Sequence, residues 1–148
     1  MSSYVVTQNT GQQITTNYNL EKLFLRDNRY ENDNVLNNAG YTPVTFLAGT
    51  VLARIAATRV LVPWNASASD GSQYVVGILA RDVVGLAAGA NATVSICISG
   101  DVNAQLVLFF DQSTLNTVGA GRTAFDHIQG DTAGIILRLR NELTGYDN

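Results

Sequence analysis

Charge is scarce in this chain. Asp, Glu, Lys and Arg make up 14% of its 148 residues, against about a quarter in an ordinary globular domain. Lysine occurs once, at Lys22, and the formal net charge is −3. That balance excludes the basic stripe of a nucleic-acid binder and the basic amphipathic helix of a membrane-surface binder. Every apolar run falls well short of the roughly 18 residues a spanning helix needs. The N-terminus, Met1 to Asn9, has no positive region followed by an apolar stretch, so no secretory signal is read and synthesis in a reducing cytoplasm is expected. Cysteine occurs once, and Cys97 inside the apolar run Val94 to Ile98 reads as a small buried hydrophobe rather than a reactive thiol.

What is present is apolar and uncharged polar. The hydrophobic fraction of 46% combined with so little charge has two readings. Either a partner covers part of the exterior, or the surface is built from the plentiful Asn, Gln, Ser and Thr. A chain of this length is the size of one domain and buries roughly two thirds of its unfolded surface, so its core needs neither a disulfide nor a metal.

Composition divides the chain near residue 40. Residues 1–40 form a polar N-terminal arm and short helix, and 41–148 a β domain. The arm begins with Tyr4-Val5-Val6-Thr7-Gln8 and Gln12-Gln13-Ile14-Thr15-Thr16, extended in propensity but too poor in apolar residues to make a core. Leu20, Leu23 and Phe24 share a helical face with Asn19 as N-cap, which predicts a short helix from Leu20 to Leu25. The Asn-rich piece from Asn28 to Asn38 reads as a loop. Strand signals follow at Val44 to Leu47, Thr50 to Ile55, Val60 to Pro63, Tyr74 to Ala80, Thr93 to Ser99, Gln105 to Phe110 and Ile135 to Leu139. Pro63 marks an edge or a strand end, because it cannot donate to a ladder. Tyr74 to Ala80 is apolar almost throughout, as in a strand covered on both sides. Asn65 to Ser72, closed by Asp70-Gly71, and Gly85 to Asn91 read as loops, and Thr123 to Gln129 as a short helix. The expected fold is mainly β, a small barrel or sandwich with one or two short helices and an extended N-terminal arm.

No catalytic constellation emerges. His127, the single histidine, follows Asp126, but adjacent helical residues point in different directions, so a surface or capping histidine is expected. Asp101 and Asp111 bracket a strand without an evident partner. Gly119-Ala-Gly121-Arg122 lacks the Lys-Ser/Thr of a phosphate loop and reads as a flexible turn. Asn65-Ala-Ser67 and Asn91-Ala-Thr93 match the glycosylation sequon but are accidents of an Asn-rich composition. Neither a metal nor a cofactor is implied. Trp64 and Tyr74 flank the Asp70-Gly71 loop, and either pack in a core or interface or offer a stacking surface to a sugar.

The run Thr50-Val-Leu-Ala53, Arg59 to Trp64, Ala68-Ser-Asp-Gly71, Val75 to Ala80 and Gly100-Asp-Val-Asn-Ala104 resembles the bacteriophage head decoration proteins of the lambda type, over roughly residues 42–140. The N-terminal section is longer than in that pattern, and the segment after Asp111 aligns less readily. The resemblance implies a small β domain called a β-tulip, a homotrimer on the local three-fold axes of the expanded capsid, and no enzymatic activity. Its partner would be the major capsid protein, with no direct contact to nucleic acid or membrane. Its place would be the outer capsid surface of the virion. On that basis Tyr4, Val5, Val6 and Ile14 of the arm are the expected capsid contacts, by strand addition to a capsid edge. Trp64, Tyr74 and Arg81 are the expected trimer interface or its rim. Two other classes stay open: a different virion β module, of tail or fibre, and a carbohydrate-binding domain using Trp64 and Tyr74.

Overall fold

The computed structural model describes residues 22–38, 42–129 and 136–140. The chain runs through β1 (Phe24–Leu36), β2 (Val44–Phe46), β3 (Val51–Arg54), β4 (Leu61–Pro63), β5 (Val75–Leu79), β6 (Val83–Leu86) and β7 (Asn91–Asn103). A 3-10 turn over Ala104–Leu106 leads to the hairpin β8 (Val118–Gly119) and β9 (Arg122–Thr123), the helix α1 (Ala124–Gln129), and β10 (Ile136–Arg140). The fold is mainly β, as expected.

The main sheet has the order β1-β4-β3-β5-β7-β10, and β1 also pairs with β7, so the first five strands close into a ring. Its longest seam is the antiparallel ladder of β1 and β7, from Phe24 opposite Val102 to Leu36 opposite Asn91. Its narrowest is one parallel pair, Val35 with Leu61, between β1 and β4. On its other edge β7 meets β5 at Ile96 and Cys97, then β10, which runs parallel to it from Ser99 to Asn103. Beside this sheet, β2 and β6 form a separate two-stranded pair.

Two cores explain the continuous apolar runs. Successive strand residues face opposite ways, and here both faces are covered. Val35, Leu52, Leu61, Leu79, Val94 and Ile96, at least one from every strand of the ring, pack together with Phe46 of β2. Val51, Ala53, Val75, Ile78, Cys97 and Val102 pack the opposite way, under Trp64, Ala124 and Ile128 of α1, and Leu137 and Leu139 of β10. β3, β5 and β7 therefore contribute neighbouring residues to different cores. That is why Tyr74 to Ala80 carries no polar alternation, and the expectation of a strand covered on both sides holds.

Three expectations are corrected. The residues read as the end of a helix, Phe24 and Leu25, open β1, and the Asn28 to Asn38 loop is mostly the rest of that strand. Asn, Asp and Arg are poor strand formers, yet β7 supplies a ladder along nearly all of β1, and most of β1 is open to water on its other side. Pairing and exposure outweigh propensity. The sheet thus takes its first strand from before residue 40. The strand expected at Gln105 to Phe110 is instead the end of the 3-10 turn and an isolated bridge of Leu108 to Thr50. The loop expected at Gly85 to Asn91 begins inside β6, which runs to Leu86. Pro63 ends β4, as its missing N–H requires.

The start of the β1–β7 ladder is irregular. Its register shifts between Phe24 and Arg26, between Arg26 and Arg29, and again before Tyr30, while Asp27 takes φ 58° and Gly100 φ 113°. A Cβ at Gly100 would lie 2.6 Å from the Asp27 carbonyl oxygen and 2.7 Å from the Asn28 Cα. Both the left-handed backbone and the close approach require glycine. Gly100→Ala is expected to destabilise the domain by about 2–3 kcal/mol, read as a lower urea midpoint with an unchanged slope.

Candidate functional site

The irregular ladder start aims charged side chains. Arg26 of β1 and Arg138 of β10 stand opposite Asp101 of β7 in register, one on each flank. Arg140 lies two residues further along β10. All three converge on the Asp101 carboxylate: Arg26 Nε donates to Oδ2 at 3.0 Å, Arg138 Nε to Oδ1 at 2.5 Å, and Arg140 Nε reaches Oδ2 at 3.4 Å. The Asp101 side chain is 3% exposed, whereas the arginines are 47–60% exposed. Asn28 Nδ2 donates to the Asp101 carbonyl oxygen at 3.1 Å and ties the bulged strand to the same residue.

Burial pushes the Asp101 carboxyl up, but hydrogen bonds from Arg138 and Arg26 and the charges of Arg138 and Arg140 outweigh it and hold it below the usual carboxylate range. A depressed folded-state value means the stabilisation is fully present above the unfolded value of about 3.9 and is lost as pH falls through the folded one. Sequence reading left Asp101 without a partner, since Arg26, Arg138 and Arg140 are brought to it only by strands distant in sequence.

Of the residues singled out from sequence, Tyr4, Val5, Val6 and Ile14 lie outside the described residues. Trp64 is buried, 2% exposed. Its Nε1–H donates to the Gln73 carbonyl oxygen at 2.7 Å, and its ring meets Phe109 and His127 at centroid distances of 5.8 and 5.9 Å. With its ring covered by its own core, Trp64 offers no open face to a sugar, and the carbohydrate reading loses its platform. Tyr74 is exposed and meets the same histidine edge-on at 6.1 Å. The structure therefore joins Trp64 and Tyr74 through His127. Arg81 lies past the other end of β5, seven residues from Tyr74, in a shallow groove lined by Phe24, Tyr30, Ala80 and Ser95.

His127 is buried rather than at the surface, which corrects the expectation. Asp126 points outward while His127 points into the core, where its Nε2 sits 2.6 Å from the Gly119 carbonyl oxygen. That contact needs a proton on Nε2, and Nδ1 has no hydrogen-bond partner among the described residues. The Gly119 to Arg122 segment is the tight hairpin turn of β8 and β9, with φ 51° at Ala120 and 80° at Gly121, which suits a two-residue loop. Among the described residues no group of three or more His, Cys, Asp and Glu side chains is placed to hold a metal ion, and no helix is long and apolar enough to cross a membrane.

Sequence reading missed several exposed apolar side chains: Tyr30, Leu47, Val84, Leu108, Phe110, Val118 and Phe125. Apart from Tyr30, they are of the same residue types that fill the core elsewhere in the chain, so nothing in the local pattern marks them as exposed. Tyr30 lies within β1, Val84 within β6, Val118 in β8 and Phe125 in α1, while Leu47, Leu108 and Phe110 lie in connecting segments, an open distribution that suits contact with large partners more than enclosing a small molecule.

A mainly β scaffold that leaves several large apolar side chains exposed suits contact with large partners. Comparison with protein families makes the assignment specific: the family of the bacteriophage lambda head decoration protein D matches residues 13–127, and the chain belongs to that family. The match starts earlier than the resemblance read from sequence, taking in β1, and ends at His127, before β10. Among curated proteins none matches the chain.

Asp101→Asn tests the ion cluster. It removes the carboxylate that draws three guanidinium groups together and is expected to cost about 2 kcal/mol at pH 7, discounted for the half-exposed arginines. The difference from wild type should shrink as pH falls below the unfolded value of about 3.9, where Asp101 of the unfolded chain takes up a proton while the folded one, held lower, still resists it. Urea unfolding of both proteins at pH 7 and pH 3 reads it.

Proposed function

We propose that this protein binds the expanded phage head as a trimer at local three-fold positions on its outer surface and stabilises it against internal DNA pressure. The observation that carries this reading is the family match across residues 13–127, since a head decoration family implies a capsid partner and a place in the virion. The major capsid protein is that partner. Three identical contact sets on one trimer meet three equivalent lattice positions, so modest individual contacts combine through effective concentration. A site that forms only on lattice expansion selects the mature head, and binding then stabilises that state by mass action.

The arm makes the capsid contact in this account, with Tyr4, Val5, Val6 and Ile14 adding a strand to a capsid edge. Subunit contact involves Tyr74 and Arg81, with Trp64 holding Tyr74 in place from behind through His127. The exposure of Tyr74 and the open groove beside Arg81 support that division. Nothing in this role calls for catalysis.

Co-sedimentation with undecorated heads tests the proposal. Saturable binding to expanded heads and none to unexpanded heads is expected, and binding to neither would overturn it. Deleting residues 2–16 should abolish head binding while leaving the thermal unfolding of the β domain within a few degrees of the full chain. Unchanged binding by that truncation would exclude the arm as the contact.

A further inference from the structure

The Asp101 cluster holds more positive charge than it uses. Three arginines surround one carboxylate, so the group carries a net +2 within a chain of net −3. It gathers three of the nine Lys and Arg residues of the whole chain. Each guanidinium reaches Asp101 through Nε, and no described residue accepts a hydrogen bond from the Nη atoms of any of the three. The fork made by the two Nη groups is the part of arginine that binds a carboxylate in parallel hydrogen bonds. Asp101, nearly fully buried, thus acts as an anchor that holds three forks on one face of the sheet with their outer ends in water.

The geometry points to this face as a docking site for carboxylate side chains of a partner protein. The site is built from Arg26, Arg138 and Arg140 and preorganised by Asp101. Preorganisation matters because an isolated surface arginine loses side-chain entropy on pairing and gains little, whereas these three are already drawn together. A carboxylate-bearing protein fits better than a nucleic acid. The patch is compact and Asp27 adds a negative charge beside Arg26, so a few planar carboxylates suit it better than a continuous run of phosphates. Resting on the head-binding reading above, the partner is an acidic segment of the capsid lattice, and Arg138 and Arg140 lie beyond the residues that match the family. This contact is separate from the N-terminal arm and gives the association a salt-dependent component.

The test uses the full chain, poly-L-glutamate and expanded heads. Poly-L-glutamate should bind the wild type, and Arg26→Gln and Arg140→Gln should each weaken it about tenfold and flatten its salt dependence. Arg59→Gln, which removes the same charge from the exposed turn between β3 and β4, should leave it unchanged. Arg140 makes the longest of the three contacts, so its variant keeps two of them and folds, as a melting curve checks. No binding of poly-L-glutamate, equal weakening by Arg59→Gln, or stronger binding of a DNA duplex of matched charge would overturn the inference. On heads, the same two variants should bind more weakly than wild type at low salt. If wild type binds heads and both variants match it at every salt concentration, the patch is excluded as a lattice contact while the decoration role stands. If wild type binds no heads, the decoration role fails and the poly-L-glutamate series alone decides the patch.

Discussion

The antiparallel seam between β1 and β7 is the constraint on which the other elements depend. It joins residues 24–36 to 91–102, so it forms only after a long loop has closed. Once formed, it leaves the other edge of β7 free to receive β5 and then β10. β7, like β3 and β5, belongs to both cores: Ile96 faces one and Cys97 the other. At the far end of the same strand Asp101 gathers arginines from both flanking strands, so the ion cluster also clamps β1 and β10 to β7.

Much of the interior was legible in the sequence because burial leaves a mark on it. Val51 to Arg54 and Val75 to Leu79 are strands, and their unbroken apolar character follows from cores on both sides. Pro63 ends its strand for a reason visible in one residue. Thr123 to Gln129 is helical from Ala124. β1 was not legible, because Arg26 to Asn34 is polar and water-facing for most of its length and its strand state comes from β7, some 60 to 75 residues away. A local reading of Asn and Asp there returns a loop. Residues 20–25 carried apolar spacing compatible with a helix, but Phe24 instead meets Tyr30 edge-on at 5.5 Å along the strand.

The candidate surfaces were legible only in part, for the same reason. Tyr74 and Arg81 are at the surface, whereas Trp64 belongs to the core, since an aromatic beside a turn looks the same in sequence whether it turns in or out. His127 was misplaced because its partner, the Gly119 carbonyl, is a backbone group that no motif announces. The Asp101 cluster went unseen because it is a product of register: Arg26 and Arg138 face Asp101 only once three strands are aligned.

For a protein that works by attachment, this division of labour has a physical logic. In the proposed decoration role, a doubly covered sheet with a closed ring of strands is suited to carrying load between capsid neighbours. In that same role the exposed side chains, apolar or cationic, would supply contacts whose number matters more than the strength of each. The most direct measurement is an electron cryomicroscopy reconstruction of expanded heads saturated with the protein. The account predicts three chains around each occupied local three-fold position on the outer surface. Density at other lattice positions, single chains without three-fold contact, or bare heads would contradict it.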